Sequence, residues 1–261
     1  MQMKFNPGFD IQPTTQPMGF KYGSNVFGPE VENRKLDAIR KSLQNPECSG
    51  PDPVYSIAMD VGKKKHLNQL REMHLLYGAV TYAAGQLGNE PVRSQGHMHK
   101  VSPKSGWSTP EVYEIWSGEA IIYMQEKAEN DPGRCFAVTA RPGDIVIVPP
   151  GWAHATISAN RTKPLTFGAW CDRAYGFEYD DVRKHKGLAW FPILSPSGKI
   201  EWKKNDNYNA CEIIVKIPEP YLQFNIESGK PIYTQFEEDP ERFLFVPQPQ
   251  LCYNQWCNFI P

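Results

Sequence analysis

The sequence predicts an all-β protein built on a β-barrel or jelly roll. Short apolar segments, separated by turn residues every eight to twelve positions or so, recur between residues 54 and 171, as in barrels of short strands. The composition agrees, because 24 prolines, 20 glycines and 12% aromatic residues fit a turn-rich β protein. Two histidine-containing segments, at 96–99 and 149–154, lie on candidate strands or at their ends. A barrel could bring these segments together.

The length and composition of the chain limit its number of domains and its possible partners. A chain of 261 residues can bury a substantial core as one large domain or two small ones. The net charge of −1 offers no basic footprint, so no nucleic-acid partner is expected. No apolar leader and no run of eighteen apolar residues occurs, so no membrane association is expected. The six cysteines lack the paired spacing of a zinc module, and reduced thiols in a cytoplasmic protein are the expectation.

We divide the chain into three parts. Residues 1–30 are rich in Pro, Gly and Asn and are interpreted as an irregular N-terminal arm. Residues 31–190 form the barrel domain. Residues 191–261 form a C-terminal, β-rich extension packed on the barrel, because no Pro/Ser/Gly linker separates it from the preceding strands.

The elements follow from apolar spacing. Leucine and isoleucine at 36, 39 and 43 predict a short amphipathic helix over Glu32–Leu43. The polar run 63–72 fits either a helix or a charged loop, and its three lysines fit either a solvated face or a phosphate-binding patch. Strands are predicted at 54–59, 75–84, 120–126, 135–140, 145–148, 155–158 and 165–171. In the extension, two hairpins are predicted, 190–194 with 200–202 and 221–226 with 231–236.

The two histidine segments carry the candidate chemistry. Because side chains alternate along a strand, His97 and His99 share one face and Met98 takes the other. On the next strand, Glu111 and Tyr113 share a face with Ile115, which leaves residues 112, 114 and 116 on the opposite side. His154 begins a strand just beyond the turn at 149–151.

Three imidazoles and a carboxylate that converge inside a small barrel make a site for one divalent transition metal. An isolated His-x-His pair is more commonly a pair of buried, hydrogen-bonded histidines. Here the pair is accompanied by Glu111 and His154, so the ligand set is predicted as His97, His99, Glu111 and His154. The pattern does not select among Fe, Mn, Ni and Zn, since all accept this set of ligands.

The paired pattern resembles the two motifs of the cupin superfamily. Five short sequence segments narrow the resemblance to one family within this superfamily. They are Asp-Pro-Val-Tyr at 52–55, Gly-His-Met-His at 96–99, Pro-Glu-Val-Tyr at 110–113, Pro-Pro-Gly-Trp-Ala-His at 149–154 and Gly-Phe-Glu-Tyr at 176–179. Together these segments resemble the cupin-type glucose-6-phosphate isomerases, often called the archaeal type. The resemblance covers roughly residues 30–190, and bacterial members are also similar in the tail, at 229–233 and 239–242.

The resemblance implies an enzyme that interconverts glucose 6-phosphate and fructose 6-phosphate through an enediolate. Such chemistry needs a base at C2 or C1 and a group that stabilises charge on O1 and O2. The family implies that Glu111 is this base. A carboxylate held tightly by a metal is a weaker base, so Glu111 is expected to be a loose ligand or to leave the metal when sugar binds. A purely metal-binding role for Glu111 is the alternative.

Substrate contacts are also implied by the resemblance. Ser94 and the amide of Gly96 stand where the family contacts phosphate, and Tyr179 stands where it has a substrate-facing tyrosine. Tyr113 could reach a sugar hydroxyl or pack in the core. The chain departs from the family at Val80, where a threonine is expected, and at Phe177, where a histidine is expected.

The eleven-residue insert between His99 and Glu111 is predicted to be an exposed loop near the mouth of the barrel. Either Lys100 or Lys104 helps to bind phosphate, or the loop is solvated and remote from substrate. The family implies a homodimer, and the apolar strands at 54–59 and 75–84 could pair or exchange across a two-fold axis.

Three other functions stay open. A cupin isomerase of another sugar, such as free mannose or lyxose, would lack a phosphate cradle. A dioxygenase could use the same ligands with iron in an apolar pocket. A non-catalytic sugar-binding or regulatory cupin would turn over no sugar phosphate.

Overall fold

Short strands and a few short helices follow one another along residues 3–261, the part of the chain that the computed structural model describes. In the first half lie β1 (Ile11–Thr15), β2 (Met18–Tyr22), β3 (Val26–Phe27), β4 (Glu32–Arg34), β5 (Tyr55–Met59), β6 (Gly62–Lys63), α1 (Leu67–Glu72), β7 (Leu75–Tyr82), β8 (Gln86–Leu87), β9 (Glu90–Pro91), β10 (Met98–His99), β11 (Glu111–Ser117) and β12 (Ala120–Gln125). In the second half lie β13 (Cys135–Ala140), β14 (Ile145–Val148), β15 (Ala153–Ser158), β16 (Leu165–Asp172), β17 (Phe177–Glu178), α2 (Asp180–Lys184), β18 (Trp190–Leu194), β19 (Ile200–Lys204), β20 (Ile213–Lys216), α3 (Ile232–Glu238) and α4 (Tyr253–Cys257).

Two sheets form the barrel. The larger has six strands in the order β14-β11-β16-β7-β5-β4, and the smaller has four in the order β15-β12-β13-β20. Neighbouring strands are antiparallel, except that β20 runs parallel to β13. The predicted cupin β-barrel is confirmed. None of the helices in residues 3–261 has the length and apolar run that crossing a bilayer requires.

Three layers of buried side chains hold the two sheets in place. The barrel interior is one cluster, which includes Ile115, Met124 and Phe136. The outer face of the six-stranded sheet packs against residues from both chain ends in a second cluster. The outer face of the four-stranded sheet forms the third, with α2 and the β18–β19 hairpin. Because the six-stranded sheet is covered on both faces, β16 is buried at every position.

Alternation along β11 places its side chains as the sequence predicts. Tyr113 and Ile115 lie in the interior cluster, whereas Val112 and Trp116 pack in the cluster on the outer face. The strand ends at Gly118, which has a positive φ of 81°. A Cβ atom there would lie 2.7 Å from the Pro164 carbonyl oxygen, so this turn requires glycine.

Several element predictions near the N-terminus are wrong. Residues 32–43 form the edge strand β4 followed by two single 3₁₀ turns, Leu36–Ala38 and Arg40–Ser42, rather than an α-helix. The two turns still bury Leu36, Ile39 and Leu43, so the apolar spacing is satisfied without helical hydrogen bonds. Within the supposed irregular arm, 11–22 form an antiparallel hairpin. The run 63–72 contains a 3₁₀ turn and α1.

The C-terminal tail is partly β and partly helical. The first predicted hairpin is confirmed as β18 and β19. The second is wrong, because Leu222–Phe224 is a 3₁₀ turn and Ile232–Glu238 is α3. The buried apolar and aromatic residues of α3 are at 232, 233 and 236, which is a helical spacing. The three-part division of the chain stays a prediction.

The strand candidates proposed for dimer pairing lie inside the larger sheet. β7 lies between β16 and β5, and β5 lies between β7 and β4. Within one chain, β7 is therefore paired on both edges and β5 is paired with β7 and, at residues 55–57, with β4. The homodimer, with pairing or exchange of these strands, stays a prediction.

A buried carboxylate joins the barrel to the tail. Glu114 on β11 is fully buried, and its Oε1 accepts a hydrogen bond of 2.6 Å from the Ile232 amide at the start of α3. Its Oε2 accepts one of 2.9 Å from Trp116 Nε1. Burial raises the pKa of Glu114 to about 8, although both hydrogen bonds oppose the shift.

This pKa predicts a pH-dependent stability that Glu114→Gln removes. Between a pKa of 4.5 for the unfolded chain and about 8 for the folded one, the unfolded state binds fewer protons, so the free energy of unfolding falls as pH rises. Relative to wild type, the Gln variant should therefore gain roughly 3–5 kcal/mol between pH 4 and pH 9. Urea unfolding across this range measures the difference. The exposed Glu129→Gln serves as control, and a pH-independent offset for Glu114→Gln would contradict the prediction.

Candidate functional site

Backbone hydrogen bonds bring the two histidine segments together. The His97 amide donates to the His154 carbonyl at 3.0 Å, and the His154 amide donates back to the His97 carbonyl at 2.9 Å. This antiparallel pair joins the segment before β10 to β15. Glu111 is the first residue of β11 and pairs with Val148, the last residue of β14 before the turn at 149–151.

The four predicted metal ligands converge. One side-chain donor atom from each of His97, His99, Glu111 and His154 lies within 4.8 Å of the other three. The Nε2 atoms of His99 and His154 are each 3.3 Å from Glu111 Oε2. His99, His154 and Glu111 are buried and His97 is half-buried, so this group could hold a metal ion in a largely dry environment.

Carbonyl oxygens fix the orientation of two rings. His99 Nδ1 lies 2.8 Å from the Thr109 carbonyl, and His154 Nδ1 lies 3.0 Å from the Trp152 carbonyl. A carbonyl only accepts, so Nδ1 carries the proton and Nε2 presents its lone pair to the centre of the cluster. Within residues 3–261, the buried Nε2 atoms of His97 and His99 form no hydrogen bond. Unpaired nitrogens of this kind fit the ligands of a metal ion.

The insert supports the cluster through its C-terminal end. Ser108 Oγ donates to the His99 carbonyl at 2.8 Å and accepts from the Gly151 amide at 2.9 Å. The insert therefore braces both histidine segments. Lys100, by contrast, forms a half-exposed ion pair with Glu178 at 3.3 Å. Neither Lys100 nor Lys104 lines the cavity described below, and a phosphate-binding role for either stays a prediction.

Hydrogen bonds hold the carboxylate of Glu111 on both oxygens. The Tyr113 hydroxyl donates to Oε2 at 2.7 Å, and the Cys171 thiol donates to Oε1 at 3.3 Å. Burial, followed by the Glu111 charge, raises the pKa of Tyr113 and of Cys171, so both remain protonated donors. Cys171 was not predicted from sequence, because its contact with Glu111 depends on the pairing of β11 with β16.

The pKa values of the clustered residues shift in different directions. Burial alone would raise the pKa of Glu111, but the neighbouring imidazoles of His154 and His99 outweigh it and hold that pKa well below its usual range. Burial lowers the pKa of His97 far below 6.5, and the other two imidazoles add to the effect. For His99, burial is outweighed by the Glu111 carboxylate, and the pKa is raised. The cluster therefore combines an anionic carboxylate with a neutral His97.

A cavity opens beside this cluster. Its lining includes His97, Glu111 and Tyr113, together with Ser94 and Tyr179. Gly96 does not line it; this residue has a φ of 88°, and a Cβ there would lie 2.9 Å from the Leu188 side chain. The remaining lining residues are Arg34, Tyr55, Ile57, Met59, Val80, Tyr82, Gln95, Thr156, Phe167 and Phe177.

A buried ion pair fixes the segment that carries Ser94. Arg93 Nε donates to Glu90 Oε2 at 2.7 Å, and the same guanidinium donates to the carbonyls of Ser94 at 2.9 Å and Ser42 at 2.6 Å. Ser94 Oγ accepts from the Thr156 amide at 3.1 Å. Ser94 is thus held at the cavity wall by contacts that sequence spacing could not show.

Comparison with known proteins agrees with this site. The family model described as glucose-6-phosphate isomerase (GPI) matches residues 34–211. The glucose-6-phosphate isomerase of Thermococcus litoralis is 28% identical over 138 residues, which cover 53% of this chain and 66% of the relative. The putative glucose-6-phosphate isomerase 1 of Rhizobium meliloti is 26% identical over 52% of this chain and 58% of its own length.

Solved structures are more distant. An oxalate decarboxylase variant from B. subtilis has a TM-score of 0.34 and 12% identity, covering 58% of this chain and 30% of its own. Vicilin from Corylus avellana has a TM-score of 0.36 and 13% identity, covering 50% and 33%. The family match spans more than half of the chain and includes all four residues of the cluster. The chain belongs to the glucose-6-phosphate isomerase family, in its cupin-type, or archaeal-type, form.

Proposed function

We propose that this protein is a metal-dependent aldose–ketose isomerase that interconverts glucose 6-phosphate and fructose 6-phosphate. The observation that carries the proposal is the convergence of three imidazoles and Glu111 beside a cavity, within the segment that matches the family model. The matched relatives are named for this activity. The matched region covers 66% of the first relative and 58% of another. The activity of the whole protein is therefore a proposal.

The donor set fits one divalent transition metal per subunit. His97, His99, Glu111 and His154 would hold it, and nitrogen with carboxylate donors suits Fe, Mn, Ni or Zn. When bound, such an ion supplies Lewis-acid stabilisation of negative charge on the sugar oxygens.

The chain supplies the proton transfer. In the proposed reaction, Glu111 removes the proton from C2 of the aldose and returns it to C1, and the hydroxyl proton moves from O2 to O1. Tyr113 and Cys171 orient the carboxylate through their hydrogen bonds to its two oxygens. A carboxylate held in this way can face substrate without swinging out of the cavity.

Aromatic side chains limit the access of water to the cluster. Phe177 packs against His97 with ring centroids 4.5 Å apart and against His99 at 5.8 Å. Tyr113 contacts Phe167 at 5.4 Å on the opposite side. Water excluded by these rings cannot protonate the enediolate in competition with Glu111. Ser94 and Tyr179, which line the cavity, are proposed to contact the substrate, whereas the amide of Gly96, which is outside this lining, stays a predicted phosphate contact.

A coupled assay tests the activity. The purified chain is stripped of metal, reconstituted separately with Fe²⁺, Mn²⁺, Ni²⁺ or Zn²⁺, and supplied with fructose 6-phosphate; glucose 6-phosphate is detected through its dehydrogenase. Turnover is expected with at least one metal and not with the stripped protein. Turnover of free mannose or lyxose alone, oxygen consumption with a substrate, or no reaction with any metal would contradict the proposal and favour the corresponding rival function.

The quaternary structure and location form a separate part of the proposal. We expect a homodimer in the cytoplasm, and the six free cysteines are compatible with a reducing compartment. Light scattering on the eluting peak of a size-exclusion column should give twice the chain mass of 29.7 kDa at micromolar concentration. A mass near the single-chain value would refute the dimer.

Loss of one imidazole should weaken metal binding. His97→Gln removes a ligand atom, and because loss of a mere hydrogen-bond partner to a ligand costs about 10–100-fold in affinity, we expect more than a ~100-fold decrease. Calorimetric titration of the stripped protein with Ni²⁺ measures it. His74→Asn is the control, since His74 lies outside the cluster and asparagine tolerates its positive φ of 57°. Equal affinity in both variants would exclude His97 as a ligand.

The Glu111→Gln variant distinguishes a role of Glu111 as the catalytic base from a role only as a metal ligand. If Glu111 is the base, kcat at saturating metal should fall by ~10²–10⁴, while a non-reacting sugar phosphate still binds. If Glu111 only holds the metal, metal content should fall instead and excess metal should restore the rate. Metal analysis and activity of the same sample distinguish the two, and a fully active Gln variant would rule out the proton-transfer role.

A further inference from the structure

The cavity beside the metal cluster has a basic residue in its lining. Of its lining residues, Arg34 is the one lysine or arginine. The same lining contains the Glu111 carboxylate, so one cavity holds a candidate base and a guanidinium.

The register of the larger sheet turns Arg34 inward. On the edge strand β4, Arg34 pairs with Tyr55 and Glu32 pairs with Ile57. Directly paired residues in an antiparallel sheet project from the same face. Tyr55 and Ile57 both line the cavity, so Arg34 is on the cavity side of the sheet.

The guanidinium is incompletely paired. Its Nη2 lies 2.6 Å from Glu32 Oε1, and its buried Nε has no hydrogen-bond partner within residues 3–261. The side chain of Glu32 is 66% exposed and that of Arg34 only 22%. An ion pair to a solvated carboxylate is worth little, so an anion inside the cavity can compete with Glu32. A planar guanidinium suits the oxygens of a phosphate.

Two hydroxyl groups stand beside this cation. Tyr55 pairs directly with Arg34 between β5 and β4, and Tyr179 lines the same cavity. Burial raises the pKa of both tyrosines. Both hydroxyls stay protonated and can donate to an anion. Arg183 also stacks on Tyr179, with its Cζ 4.9 Å from the ring centroid, and donates to Gln95 Oε1 at 3.1 Å. Tyr179 is thus held in position at the cavity.

We propose that Arg34 is the anion anchor of this cavity and binds the phosphate group of a sugar phosphate, with Tyr55 and Tyr179 as additional donors. The carbon atoms that react then lie beside Glu111. Val80 lines the same wall and offers no hydroxyl, so the guanidinium supplies the binding that this position lacks. The identity of the sugar rests on the proposed function, whereas the binding of an anion does not.

Binding of glucitol 6-phosphate, which has no carbonyl and cannot isomerise, tests the anchor without turnover. Calorimetry on the metal-loaded protein compares this probe with glucitol. Wild type should prefer the phosphorylated probe strongly. Arg34→Met should lose about 10–100-fold of that preference, the usual scale for a charged hydrogen bond, and Arg34→Lys, which keeps the charge, should recover part of it. KM for fructose 6-phosphate should rise in parallel, with kcat changed less than about threefold.

Glu32→Gln is the matched control. It removes the ion pair of Arg34 but keeps the guanidinium, so phosphate binding should be unchanged or tighter. An equal loss in Glu32→Gln and Arg34→Met would overturn the proposal, because the ion pair would then be only structural; so would an unchanged preference in Arg34→Met. Arg34-dependent binding without isomerase activity would support the anchor and contradict the proposed function. Isomerase activity in which Arg34→Met leaves KM unchanged would support the proposed function and contradict the anchor.

Discussion

The register of β11 is the constraint on which the rest of the structure depends. Its inward residues, Glu111 and Tyr113, belong to the cavity, and its outward residues, Glu114 and Trp116, belong to the packed outer layer. A slip of one position would exchange the two faces and place two carboxylates in the wrong environments. Both neighbours, β14 and β16, and the tail contact at Ile232 fix this register. The chemistry of Glu111 is thus specified partly by residues far from the cavity.

Much of the site could be predicted from sequence because it depends on local alternation. The four ligands lie on or next to short strands, and strand periodicity alone fixes which of their side chains share a face. The convergence of His97 with His154 needed one further inference, that a barrel pairs the two segments. The structure confirms this convergence through the paired backbone hydrogen bonds between these two residues.

The remaining features depend on contacts that are remote in sequence. Arg34 lies in a segment with helical apolar spacing, and its inward direction follows only from pairing with Tyr55. Glu114 occupies a face that would be solvent-exposed in a bare barrel, and the outer cluster, including the start of α3 at Ile232, covers that face. In the tail, the segment 231–236 is predicted as a strand, although its buried apolar and aromatic positions follow a helical period. Tertiary packing decides such cases, and short apolar runs do not.

The base of the insert supports the histidine segments, whereas its tip does not, and this difference determines where the number of residues between His99 and Glu111 can vary. Thr109 and Ser108 brace the histidine segments, and a bridge between Val101 and Ser108 closes the loop at its base. Around Gly106 a Cβ atom would meet nothing within 4 Å. Residues can therefore be added or removed at the tip over evolutionary time without moving a ligand. Loop length at this point is free to diverge, so it is a poor marker for classifying relatives, whereas the residues at its base are constrained.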